Sequence, residues 1–130
     1  MDPTPPRSTM FRRALRRRCP VCGTGGLFTH WLKMRPTCPG CGLHFARGED
    51  GYTLGALWFN MLFAEGVNTV LWVTVAITTW PDVPWEVLHW VGPAMAVLLP
   101  LFFYPFARLL FLSFDLCFRP LERPMAGVSR

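Results

Sequence analysis

The sequence predicts a mostly α-helical membrane protein, with two transmembrane helices in an antiparallel hairpin behind an N-terminal cytoplasmic zinc ribbon. Three observations carry that expectation. The 130-residue chain is 52% hydrophobic and only 16% charged, where soluble domains run nearer about 25% charged. Two long runs after residue 53 hold a single charge each. Four cysteines near the N-terminus fall into two Cys-x-x-Cys pairs. Six Trp and eleven Phe against eight acids also give more apolar surface than so short a globule can bury. A soluble α/β enzyme is disfavoured from the outset.

The charge is uneven. Of thirteen Lys and Arg, nine precede Gly48, and the last four are Arg108, Arg119, Arg123 and Arg130. The chain therefore divides into a basic amphipathic arm (1–18), a zinc ribbon (19–50), a transmembrane hairpin (51–118, with spans of about 54–80 and 87–114) and a cytoplasmic tail (119–130).

In the arm, Met10, Phe11, Ala14 and Leu15 project to one side of a helix, with Arg12, Arg13, Arg16 and Arg17 on the other. The expectation is an interfacial helix on anionic lipid, each basic residue contributing about 1 kcal/mol near the surface. Nucleic acid is the rival ligand for such arginines. Tethered beside a bilayer, they meet lipid phosphate first.

The ribbon carries CPVC, fifteen residues, then CPGC: Cys19, Cys22, Cys38 and Cys41. Each pair turns two sulfurs toward one point, and two pairs supply the tetrahedral thiolates zinc prefers. Gly23 and Gly42 follow the second cysteine of each pair, where the knuckle needs a permissive backbone. Iron in the same tetrathiolate is chemically feasible. A redox dithiol accounts for one pair but not two, and a disulfide framework requires an oxidising compartment. With four sulfurs the shell is closed, so the zinc is structural, and His30 and His44 are read as surface residues. The 32-residue ribbon lies below the roughly 40 residues at which a core suffices alone, and the metal supplies the missing folding energy.

Leu54 to Trp80 holds one charge, Glu65, and Val87 to Phe114 holds one, Arg108. About 20 apolar residues cross the hydrocarbon core, and neither run shows the polar face of a soluble core helix. The short Pro81–Glu86 link permits only an antiparallel hairpin. Its acids, against the basic ends, place both termini in the cytoplasm of an inner-membrane, multi-pass protein. Trp80, Trp85 and Trp90 mark the outer interface. No leader pattern precedes the first span, which is expected to act as its own signal. Pro93, Pro100 and Pro105 should bend the second. Asn60, Glu65 and Asn68 share an arc of about 140° on the first span and mark a polar seam toward a protein partner. Arg108, counted at a similar depth, is expected to meet Asn60 or backbone carbonyls of the first span.

The order CPVCG, GGLF, Leu32-Lys33, CPGCGLHF, Asp50-Gly51, then two spans resembles the bacterial membrane family named domain of unknown function 983, over about Arg17 to Phe118. That family often has Asp where His44 stands and Pro where Tyr52 stands. The resemblance implies no settled activity. It implies an association with respiratory terminal oxidase and its assembly factors, whose genes often lie near the family's.

Two function classes follow. One is a non-catalytic scaffold or assembly factor for a membrane complex, with the bilayer and a membrane protein as partners. The alternative handles metal or thiol redox, delivering zinc, copper or electrons. An enzyme is not expected: no Ser/His/Asp or Cys/His set, phosphate-cradling loop or carboxylate pair is present. No small-molecule substrate is evident, and nucleic acid is disfavoured. Cys117 is read as a small apolar filler.

Overall fold

A computed structural model describes residues 5–121; residues 122–130 of the expected tail, Arg123 and Arg130 among them, lie outside the described residues. Three helices follow in order, α1 (Arg7–Leu15), α2 (Tyr52–Thr78) and α3 (Trp85–Phe118). Between α1 and α2 the ribbon consists of turns and two isolated antiparallel bridges, Phe28 with Met34 and Thr37 with His44. No regular strand occurs among the described residues. Gly51, at φ 87°, makes the left-handed corner from ribbon to α2 that a side chain would strain.

At 27 and 34 residues, α2 and α3 run about 40 and 51 Å, each beyond the roughly 30 Å of a hydrocarbon core. Only 6% of the most apolar stretch of α2 and 22% of that of α3 is buried within the protein. A soluble core helix would be largely covered. Together with their apolar composition, that exposure makes this a membrane hairpin.

The two helices lie side by side in one register. Tyr52 meets Phe111 at 5.2 Å between ring centroids, and Phe63 stacks on Phe103 at 4.2 Å. Further along, a Cβ on Gly92 would stand 2.2 Å from the Trp72 ring. Position falls along one helix as it rises along the other, the signature of an antiparallel pair. Gly92 is there because the indole occupies the space of a side chain.

Two carbonyls around the α3 prolines receive donors from elsewhere. Pro105 has no N–H to offer Leu101 one turn back, and the Trp31 indole Nε1 of the ribbon donates to that Leu101 carbonyl at 2.9 Å. Asn60 Nδ2 donates to the Pro100 carbonyl at 3.0 Å, while its Oδ1 is buried without a partner. The expectation for Arg108 is therefore corrected. Its Nη1 lies 3.4 Å from the Tyr104 hydroxyl on its own helix. Asn60 stands opposite Pro100, about 12 Å of helix away from Arg108, because α3 continues to Phe118 and displaces the depth counted from Phe114.

The last turns of α3 are covered by the head. Leu109, Leu112 and Leu116 form one continuous core with Met10, Ala14, Leu27, Leu43 and Phe45. This corrects the reading of the arm: the inner part of its apolar face, Met10 and Ala14, is spent on protein and not on lipid. Trp31 rivets the same joint, packing against Phe102 and Phe106 with centroids at 5.8 and 6.5 Å. Trp31→Phe keeps the ring but removes the donor to Leu101. The expected cost is about 1 kcal/mol, read as a lower thermal midpoint in detergent with the bound metal unchanged.

Candidate metal centre

Both cysteine pairs fold into the same knuckle. Gly23 N donates to the Cys19 carbonyl and Gly42 N to the Cys38 carbonyl, each at 2.9 Å. Cys19 N donates to Thr24 O at 2.9 Å and Cys38 N to Leu43 O at 3.0 Å. Gly23 and Gly42 sit at φ 81° and 70°, so the repeated glycine is a backbone requirement. Gly40 is the tight point of the second turn, since a Cβ there would meet Thr24 Oγ1 at 2.1 Å.

The four sulfurs converge, all within 4.8 Å of one another. Cys19 and Cys41 are 3.8 Å apart and Cys22 and Cys38 3.5 Å. Thiolates about 2.3 Å from a tetrahedral zinc stand about 3.8 Å apart, so the cluster already has the dimensions of a tetrathiolate site. Cys19 and Cys38 are buried, Cys41 half-buried and Cys22 exposed. His30 and His44 do not join the group. Such a set can hold a metal ion with no vacant position for a substrate.

Burial pushes the Cys41 thiol up to about 11 and raises Cys19 further. Cys22 moves the other way: desolvation raises it, but the Thr24 hydroxyl, the Thr24 backbone and the neighbouring thiols outweigh that and draw it down to about 6. Since a metal binds thiolates, it must displace protons from Cys19 and Cys41 at neutral pH. Apparent metal affinity should therefore rise at least about a hundredfold per pH unit near pH 7, and steepen below pH 6 as Cys22 also takes up a proton. Chelator competition between pH 5.5 and 7.5 measures the slope; a flat profile contradicts it.

Arg13, expected at the lipid surface, instead turns inward. Its Nη1 donates to the Val21 carbonyl at 2.6 Å and to that of Pro20 at 3.3 Å, bracing the first knuckle. Arg17 lies over the Trp31 ring, 4.9 Å from its centroid. Arg12 and Arg16 remain exposed. Within the hairpin, Asn60 is buried and bonded, whereas no hydrogen bond or ion pair among the described residues reaches the Glu65 carboxylate or the Asn68 amide.

The sequence reading missed a polar joint where the ribbon meets the end of α3. Arg47 Nη1 donates to Asp115 Oδ2 at 2.9 Å and to the Arg119 carbonyl at 2.6 Å. Tyr52 Oη lies 3.5 Å from the same carboxylate, and Arg119 pairs with Glu49. The side chains of Arg47 and Asp115 are 18% and 12% exposed. The one available signal was an acid, Asp115, near the end of an apolar run that elsewhere holds only Arg108.

A family model described as a protein of unknown function (DUF983) matches residues 28–114, two thirds of the chain. The chain belongs to this family. No curated protein and no solved structure matches it. The DUF983 match runs from the bridge at Phe28 through the second knuckle and both spans, and the first knuckle, with Cys19 and Cys22, lies before it. Nothing in the match names an activity.

Proposed function

We propose that this DUF983 protein is a non-catalytic scaffold or assembly factor that docks through its first span on a larger membrane complex, a respiratory oxidase being the complex the family's gene neighbourhood favours. The observation that carries the reading is the state of Glu65 and Asn68. Both are half-buried in α2 without a partner among the described residues, and polar groups at that depth are costly unless they face protein. A groove of about 630 Å³ lies along the same helix, lined by Leu62, Gly66, Val70 and Thr74 among others and not by Glu65 or Asn68, with open space at Gly66. A close helix–helix contact uses such a recess. The metal, zinc by ligand chemistry, then serves as a staple for the head, and the basic flanks orient both termini to the cytoplasm.

Copurification in mild detergent tests the scaffold reading. Glu65→Leu should leave the protein inserted and metal-loaded but remove the copurifying subunits. Unchanged capture of those subunits defeats it. One observation favours metal delivery as a second reading, the exposure of Cys22, which leaves one ligand open to an acceptor. Isotope exchange separates the two: a staple holds its zinc for hours, whereas a courier exchanges it within minutes.

A further inference from the structure

We infer that the cleft between the end of α1 and the ribbon's first loop is a binding site for the phosphate of an anionic lipid headgroup. The cleft measures about 380 Å³, and Arg16, Arg17, Arg18, Gly25, Gly26 and His30 contribute to its walls. No carboxylate lines it. The backbone N–H groups of Gly25 and Gly26 donate to no backbone acceptor among the described residues, and a Cβ at either glycine would meet nothing within 4 Å. Guanidinium groups and free amides without a competing acid are the donor set a phosphate takes.

A backbone detail points the same way. Arg17 is held at φ 55°, at the left-handed position after α1 that glycine usually fills. Strain of that kind gathers at binding sites. Here it folds Arg17 back over Trp31 and leaves Arg16 and Arg18 exposed.

Position selects the source of the phosphate. Counting about 20 helical residues of hydrocarbon from Trp85 reaches Pro105. Trp31, which shares the cleft, bonds and stacks on α3 at Leu101, Phe102 and Phe106. The cleft therefore sits at the depth where headgroups lie. This goes beyond a scaffold role and beyond a diffuse basic face on lipid, since it names a single cleft and the residues that line it.

The test uses the full chain in nanodiscs of phosphatidylcholine with graded phosphatidylglycerol, and native mass spectrometry of the lipid that each chain retains. Wild type should keep one phosphatidylglycerol in preference to phosphatidylcholine. R16Q/R18Q should weaken retention about 100-fold, each lost charge-assisted contact accounting for about tenfold. R7Q/R35Q, which removes equal charge from exposed positions outside the cleft, should change it less than about threefold. Metal content reports that the head is folded; should the double variant lose its metal, the single Arg16→Gln substitution should weaken retention about tenfold. Equal losses in the two double variants would reduce the site to diffuse charge and overturn the proposal. So would inorganic phosphate or an RNA hairpin displacing the lipid at matched concentration, each of which reassigns the cleft. Because Glu65 is untouched, failure here is distinguishable from failure of the scaffold reading.

Discussion

Replacing Cys38 with serine is expected to unfold the head while leaving both spans inserted. Cys38 is 3% exposed and belongs to the core that joins α1, the knuckles and the end of α3. The head holds only a few buried side chains of its own, chiefly Leu27, Leu43 and Phe45. A tetrathiolate site supplies on the order of 10 kcal/mol of folding free energy, far more than that cluster provides. With three ligands the metal should be lost and the core opened, uncovering Leu109, Leu112 and Leu116. Elemental analysis should fall from about one zinc per chain to none, and trypsin should cut faster at Lys33 while the spans stay protected. A Cys38→Ser protein with full metal and native protease resistance contradicts the staple. Stoichiometric iron in the wild type would instead correct the metal.

Asp115→Ala should loosen the joint between head and hairpin without emptying the metal site. The substitution leaves Arg47, 18% exposed, with a charge no longer compensated, and removes the acceptor near the Tyr52 hydroxyl. Breaking a buried pair costs about 3–5 kcal/mol, and partial exposure places this one at the lower end, about 3 kcal/mol. That is roughly a hundredfold shift in local opening, visible as faster cleavage after Arg47 and a lower thermal midpoint. Asp115→Asn keeps one acceptor oxygen and should recover part of the loss. If Asp115→Ala matches wild type while Cys38→Ser does not, the joint rests on the apolar contacts alone. The exposed Arg119–Glu49 pair, in which the guanidinium holds the Glu49 carboxyl below its usual range, contributes little by itself.

Sequence alone determined the features whose physics is local or compositional. A Cys-x-x-Cys turn followed by glycine at φ 81° or 70° is specified by five neighbouring residues, so both knuckles were readable from the string. Two apolar runs long enough to cross a bilayer need no partner to be recognised. The tertiary structure decided the rest. Trp31 reaching Leu101, Arg47 reaching Asp115 and Asn60 reaching Pro100 span 70, 68 and 40 residues, and each depends on how far α3 extends and in what register it lies on α2. That register is the sum of many weak packing contacts, such as Trp72 over Gly92, none of which a motif encodes. The arm shows the consequence most clearly. Its helical amphipathy was correct, but an apolar face has no address in the sequence, and the nearest uncovered apolar surface was the protruding end of α3, not the bilayer.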